Sequence, residues 1–387
     1  MLVKKLYLMK IKQIIIWGFI ILTFLSYFYF PVFAQEMDNS QTNSSFEETL
    51  VGKVVKVLEE KKIEVEGQEP TQYQKLEVLI TEGSLKDKTI NIEVGDIATV
   101  NQQKYQPDEE VVITYTKGFD NEDVFYITDY VRHKSLVWLF VIFVILTVVI
   151  GKWRGISSIF GMGLSFLVIF KYILPSISQG ADPINTSIIG SLFIIPISFY
   201  LSHGFNKKTT VAVVGTLIAL VITGLLAKTY IEVARLTGFA SEEAAFLQVA
   251  KQGVMNMKGL LLAGIIIGVL GVLDDITISQ SAVVFQLKKT NPSIKQGELY
   301  KAAMNVGQDH IASMVNTLVL VYTGAALPLF LLFINNPKPF HQTINFEPVA
   351  EEIVRTLVGS IGLILAVPIT TFIASFIAQG GEKNESS

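Results

Sequence analysis

The sequence predicts a membrane-embedded all-α bundle of about seven to eight transmembrane helices, together with a small extracytoplasmic all-β domain. Half of the 387 residues are hydrophobic and 17% are charged, against roughly 25% charged residues in soluble domains. The charged residues concentrate in residues 36–134. The rest of the chain is a series of apolar runs close to the roughly 20 residues that cross a bilayer. This division predicts one region in contact with water and another in contact with lipid.

Residues 1–34 have the features of a signal peptide or a signal-anchor helix. Four lysines among the first twelve residues precede an apolar stretch at 14–33, and the small residue Ala34 ends it. The apolar stretch is about as long as a membrane span, so cleavage and retention both stay open. In either case the lysines stay inside, and the chain from residue 35 emerges outside. Residues 35–45 are polar and predict a tether.

Residues 46–132 predict the β domain, a barrel or sandwich of OB-like type. Short alternating stretches end at turn residues such as Gly83, Gly95, Pro107 and Gly118. Five such strands suit a small barrel. The predicted strands are 50–57, 74–80, 89–94, 110–115 and 124–127. Because the domain has mixed charge and no basic stripe with aromatics, we expect a structural or protein-docking part and no nucleic-acid partner.

Residues 134–379 predict the transmembrane domain, and the loop charges predict its path. Basic residues lie at 151–154, 207–208 and 288–289, and the positive-inside rule places all three on the cytoplasmic side. Residues 380–387 then form a cytoplasmic tail. The predicted spans are 137–150, 156–174, 184–201, 210–227, 259–289, 311–333 and 353–377.

Two adjacent acids, Asp274 and Asp275, lie near the middle of the apolar run at 259–289. A charged side chain at the bilayer centre costs roughly 2.5–3.5 kcal/mol on insertion scales, so such residues face the bundle interior, a partner or water. Adjacent positions on a helix diverge by about 100°. We therefore expect a polar site inside the bundle, with the two acids on different faces.

A stripe of small and polar residues follows one face of this helix. Gly264, Gly268 and Gly271 are spaced four and three apart, and Asp275 and Ser279 continue the stripe. Small residues at this spacing let another helix approach closely. The pattern predicts that Asp275 lies on a packing seam.

A second polar seam follows the next membrane helix and its entry. It comprises Asn305, Asp309, Ser313, Asn316 and Thr323, with His310 and Thr317 beside it. Two polar seams on consecutive helices can share one cavity. The candidate proton- or ion-binding residues are Asp275, Asp274, Ser279, Asp309, His310, Asn316 and Thr317. The alternative is interhelical hydrogen bonding alone, at about 0.6 kcal/mol per bond.

Other chemistry is not indicated by the sequence. The absence of cysteine excludes disulfides and thiolate metal sites, and the four histidines are scattered. No phosphate loop, zinc motif or serine elbow occurs. An intramembrane aspartyl hydrolase needs two converging carboxyls. We therefore expect no cofactor, no metal, no catalytic residue and no enzyme activity. Glu351 and Arg355 are four apart and predict a local pair.

Several motifs together resemble the YibE/F family of bacterial membrane proteins. The motifs are residues 268–279, 307–311 with 316–320, and 352–355 with 358–363. The resemblance covers nearly the whole chain and implies a multi-pass protein of the bacterial plasma membrane. In the family pattern the position of Asp275 is the recurrent acid, and Asp274 is a departure from it.

A shorter region of about 75 residues is similar to the transmembrane half of SecF-type subunits and the wider RND transporters, in which a central acid carries protons. That likeness implies Asp275 as a proton carrier. Three function classes stay open: a proton- or cation-coupled transporter or translocation accessory, a non-catalytic subunit whose β domain docks envelope partners, and an intramembrane hydrolase. The expected partners are the lipid bilayer and either another membrane protein or a second copy. No substrate is indicated.

Overall fold

The structure is a computed structural model that describes residues 47–63, 71–95, 104–118, 122–251, 255–335 and 339–380. It divides into two compact units, Met1–Val144 and Ile145–Ser387. The predicted signal segment at 1–34, the tether at 35–45 and the tail after residue 380 lie outside the described residues. Those three assignments stay predictions.

The first unit contains a half-barrel made of one five-stranded antiparallel sheet in the order β3-β2-β1-β4-β5. The strands are β1 (Glu47–Ile63), β2 (Thr71–Glu82), β3 (Thr89–Val94), β4 (Glu110–Lys117) and β5 (Asp123–Tyr130). All five lie where the alternating pattern predicts strands. A single curved sheet fits the barrel alternative rather than the two-sheet sandwich.

The interior of the half-barrel is formed by alternating apolar residues of the central strands. Leu50 and Val54 of β1 are fully buried, and Gly52 lies between them on the same face. A side chain at Gly52 would have its Cβ 2.6 Å from Val78 Cγ1 and 2.7 Å from Ile113 Cδ1. Only glycine fits where three strands approach this closely.

The second unit is helical, and its first helix begins in the first unit. The helices are α1 (His133–Val168), α2 (Leu174–Ser178), α3 (Pro183–His203), α4 (Lys207–Val233), α5 (Glu242–Ala250), α6 (Met257–Thr290), α7 (Gln296–Ala325), α8 (Leu327–Asn335), α9 (Phe340–Thr343) and α10 (Glu347–Gly380). A π-helical segment, Ile169–Ile173, joins α1 to α2. It ends two residues before Pro175, which has no N–H to donate and crowds the preceding turn.

Helix α1 breaks at the predicted basic turn. Lys152 has φ 52° and ψ −133°, outside the helical region. A side chain at Gly155 would collide with the backbone oxygen of Thr147. In a continuous helix these two residues would lie about 12 Å apart, so the chain turns back sharply at Lys152.

Among the residues that the structure describes, five helices are long and apolar enough to cross a membrane, or up to six when one bent pair counts as a span. This count is below the predicted seven to eight. His133–Ser178 counts as one helix, although the prediction divides it at the Lys152 break. The predicted span at 311–333 is wrong as a single helix, because α7 and α8 meet at an angle of 67°. Pro328, which cannot continue the hydrogen-bond ladder, lies at this bend.

Helices α4, α6 and α10 form the packed centre of the second unit. A side chain at Gly215 of α4 would meet Thr370 of α10, and one at Gly362 of α10 would meet Thr223 of α4. Thr216 of α4 and Thr277 of α6 share a buried hydrogen bond of 2.6 Å between their hydroxyls. Glycine facing threonine therefore sets the spacing of these helices.

A leucine at Gly215 is expected to destabilise the bundle by roughly 1–3 kcal/mol, because it forces α4 away from Thr370. Gly163→Leu is the matched control, since a side chain at Gly163 meets nothing within 4 Å. The measurement is the thermal unfolding midpoint of the purified protein in detergent. Equal midpoints for the two variants would contradict the packing.

Candidate functional site

The acid pair lies halfway along α6, the helix predicted at 259–289. The helix begins after Asn256, whose side chain accepts a hydrogen bond from the Gly259 N–H at 3.0 Å. It ends with Lys288 and Lys289 in its last turn. Both ends have the residues that stabilise helix termini. The predicted bounds of this helix are confirmed within two residues.

Asp274 is the acid that contacts another helix. Its carboxyl is half-buried and accepts a hydrogen bond of 3.1 Å from the Ser198 hydroxyl of α3. Ser198 follows Pro196, which interrupts the hydrogen bonding of α3. Gly161 of α1 also lies close to Ser198, since a Cβ at Gly161 would be 3.6 Å from the Ser198 Cα. A glycine, a serine and an acid from three helices therefore meet here.

Asp275, unlike Asp274, is exposed in the single chain. The prediction that it lies on a packed seam is wrong for one chain. The fully buried Leu273 marks the core face of α6, and Asp275, two positions later, is turned away by about 200°. Gly264 and Gly271 on the same stripe have nothing within 4 Å of an added side chain. Ser279 is half-buried.

One member of the glycine stripe has a neighbour. An added Cβ at Gly268 would lie 3.4 Å from the Tyr322 hydroxyl of α7. The rest of the stripe is an open face of α6 in the described chain. We call Gly264, Gly268, Gly271 and Asp275 the open face.

The polar seam of α7 does not face α6. Leu299, Ala303 and Gly307 are the buried side of α7. Asn316 is nine positions after Gly307 and therefore lies on the opposite side of the helix. Six of the seam residues are exposed and His310 is half-buried. The exposed ones are Asn305, Asp309, Ser313, Asn316, Thr317 and Thr323. The predicted cavity shared by the two seams is therefore not formed within one chain.

The sequence reasoning did not identify Gln280 as a link between three helices. Its side chain is almost fully buried and its amide nitrogen donates to the Ala303 oxygen of α7 at 2.9 Å. The same nitrogen donates to the Thr371 hydroxyl of α10 at 2.8 Å. The sequence holds a signal for this role, because an amide within an apolar run, eight residues before Lys288, needs hydrogen-bond partners inside the bundle.

The electrostatics of the acid pair follow from what surrounds it. Among the described residues neither Asp274 nor Asp275 has an ion pair. The part of the chain that the structure describes contains no group of three or more His, Cys, Asp or Glu placed to hold a metal ion.

The two carboxyls have different chemical capacities. Asp274 is oriented by Ser198, whereas the Asp275 carboxyl is exposed in the described chain. Because they diverge by about 100° along the helix, they do not converge on one water as an aspartyl hydrolase requires.

Comparison with known proteins places the helical unit in a family. A family model described as YibE/F-like protein matches residues 139–380. The chain belongs to the YibE/F-like family. The resemblance seen in the sequence is thereby confirmed, and the chain is a membrane protein. No curated protein and no solved structure matches it.

The matched region of this YibE/F-like protein begins after β5 and ends with α10. It includes the acid pair, Ser198 and the packed centre of α4, α6 and α10. The β strands lie before it. Family membership therefore concerns the helical unit that contains the candidate site.

A hydrophobic carbodiimide, which modifies protonated carboxyls from the lipid side, is expected to modify Asp275 faster than Asp274. Asp275 lies on the open face, whereas the hydrogen bond from Ser198 restricts Asp274. Peptide mass spectrometry of the labelled protein measures the extent of modification of Asp274 and of Asp275. Ser198→Ala should increase labelling of Asp274 and leave Asp275 unchanged. Faster labelling of Asp274 in the wild type would contradict this geometry.

Proposed function

We propose that this protein is a proton- or cation-coupled transporter, or a translocation accessory, of the bacterial plasma membrane. The observation that carries the proposal is the acid pair halfway along α6, with Asp274 held by Ser198 and Asp275 unpaired. The likeness to SecF-type and RND membrane helices, where a central acid carries protons, supports it. The transported substrate is left open.

The physical reason is the cost of carboxyls at this depth. An apolar side chain would serve helix packing better than an acid that costs roughly 2.5–3.5 kcal/mol to insert. Asp274 recovers part of this cost through Ser198, at about 0.6 kcal/mol for a typical interhelical hydrogen bond. Asp275 has no such bond in the described chain. Helix packing does not explain a carboxyl at position 275, whereas reversible protonation or cation binding requires one.

In this proposal the acids have separate roles. Asp275 binds and releases the coupling ion from the open face. Asp274 is a positioning residue that couples α6 to α3 through Ser198, close to the Pro196 interruption. Movement of α3 against α6 would then depend on the charge at the middle of α6. Because the polar residues of α7 face away, Asp309 and Asn316 have no part in this step.

Asp275→Asn is expected to abolish coupled transport while the protein inserts and folds normally, because the amide keeps the shape but cannot exchange a proton. The measurement uses proteoliposomes with an imposed pH gradient and an internal pH dye, screened against a panel of ions and small solutes. A solute that collapses the gradient with wild-type protein should not do so with the variant.

Asp309→Asn on α7 is the matched control, since it removes an acid from the face that the proposal does not use. It should keep wild-type transport. Full activity of Asp275→Asn at equal protein content, or loss of activity only in the Asp309 variant, would contradict the assignment.

The proposed orientation places the β half-barrel outside the cell and the basic helix ends inside. The basic residues at Lys152, Lys207 and Lys288 lie at the α1 break, at the start of α4 and at the end of α6. The positive-inside rule puts all three on the cytoplasmic side. The C-terminus is then cytoplasmic.

Cysteine labelling tests this orientation without background, because the native chain has no cysteine. In whole cells an impermeant maleimide should label Lys86→Cys, which lies between β2 and β3, and should not label Lys207→Cys until the membrane is permeabilised. Both native side chains are exposed. Labelling of position 207 alone in intact cells would mean the reverse orientation.

A second candidate function is a non-catalytic membrane subunit whose β domain docks envelope partners. The open face of α6 favours it, because small residues at this spacing permit close helix approach and two of the glycines have no neighbour. The partner would be another membrane protein or a second copy. Wild-type behaviour of Asp275→Asn in every assay would favour this function over the first.

A further inference from the structure

A turn that joins α4 to α5 is held by carboxylates of the last helix. Glu347 Oε1, at the start of α10, accepts hydrogen bonds from the Thr237 N–H, the Thr237 hydroxyl at 2.7 Å and the Gly238 N–H at 3.2 Å. One helical turn later, the Glu351 carboxyl faces the Ala240 N–H. We call residues 237–240 the docked turn.

The docked turn also packs against the start of α6. Gly238 has φ 82°, and a Cβ there would be 2.5 Å from the Met257 oxygen. Leu236, just before the turn, is 2% exposed. The docked turn therefore ties together the ends of α4, α6 and α10, which are the three helices of the packed centre.

Glu351 is the unusual member of this arrangement. It is only 8% exposed, and its Oε1 is buried with no hydrogen-bond partner. The predicted local pair with Arg355 is replaced by a different one: the Arg355 Nη1 lies 3.3 Å from Glu352 Oε1. A buried acid whose neighbouring guanidinium pairs with another residue is left without a close counter-charge.

Burial away from water disfavours a charge on Glu351 while the turn is docked, and the charges of Glu347 and Glu352 add to this effect whereas Arg355 opposes it. The charged groups that act on it are Glu347, Glu352 and Arg355, all on α10. The docked turn has no titratable residue, and Tyr322 of α7 lies near Glu352 and Arg355. The positive end of the α10 dipole favours one negative charge, which Glu347 supplies. A second charge one turn away would be buried, unpaired and repelled.

We propose that Glu347 and Glu351 form a proton-binding latch. With Glu351 protonated, the docked turn stays bound to α10. Loss of the proton places a second negative charge at this buried position. Water must then enter to solvate the charge, and the turn is released. Release would free the ends of α4, α6 and α10 from one another. It would also free α5, whose Phe246 and Val249 are exposed.

The latch goes beyond the proposed transport function, and its test needs no substrate. The measurement is hydrogen–deuterium exchange of the peptide covering residues 236–241, in the full-length protein in lipid nanodiscs. Exchange at acidic, neutral and alkaline pH is corrected for its intrinsic pH dependence. In the wild type the peptide should be protected at acidic pH and lose that protection as the pH rises.

Three variants identify the responsible carboxyl. Glu351→Gln imitates the protonated acid and should stay protected at every pH. Glu352→Gln, on the same helical turn, should keep a pH-dependent profile, with the loss of protection moved to lower pH because Arg355 is freed from its ion pair with Glu352. Glu347→Ala removes the acceptor of three hydrogen bonds and should be unprotected at every pH, which establishes that exchange reports docking.

A pH profile of Glu351→Gln identical to that of the wild type would overturn the latch. So would loss of the pH dependence in Glu352→Gln with its retention in Glu351→Gln. If Glu351→Gln does not fold, the wild type alone decides, because constant protection from acidic to alkaline pH would also overturn the proposal.

Discussion

The close approach of α4, α6 and α10 is the constraint on which the rest of the helical unit depends. Glycines at 215 and 362 face threonines of the neighbouring helix, and the Thr216–Thr277 hydrogen bond fixes the register of α4 against α6. Without a hydrophobic driving force between helices in lipid, such small-residue contacts and hydrogen bonds are what hold helices together. The core face of α6 is therefore fully occupied, and its acids must lie elsewhere.

The positions of the two acids follow from that packing. Asp274, about 100° from the core face, points to α3 and finds Ser198, whereas Asp275 lies on the far side. The same packing brings the ends of α4, α6 and α10 together, where Glu347 and Glu351 hold the docked turn. The packed centre of α4, α6 and α10 therefore positions both Asp274, halfway along α6, and the pair Glu347 and Glu351, at the start of α10.

Much of the fold could be predicted from local pattern. The five strands, the bounds of α6 and the break at Lys152 depend on alternation, hydropathy and turn residues, which are properties of neighbouring residues. The contacts of the acids could not be predicted in this way. The 3.6-residue period shows that Gly264, Gly268 and Gly271 share a face with Asp275, but it does not show whether that face meets another helix. On α7 the buried face consists of small and apolar residues, so the polar stripe is not the surface that packs in the bundle.

The contact between α3 and α6 is the central claim, and cysteine cross-linking tests it most directly in a chain with no native cysteine. The pair Ser198→Cys with Asp274→Cys should cross-link rapidly with a short thiol reagent in membranes. The pair Asp275→Cys with Asn316→Cys, which represents the sequence-based expectation, should not cross-link within one chain. Rapid cross-linking of the second pair and none of the first would contradict the account.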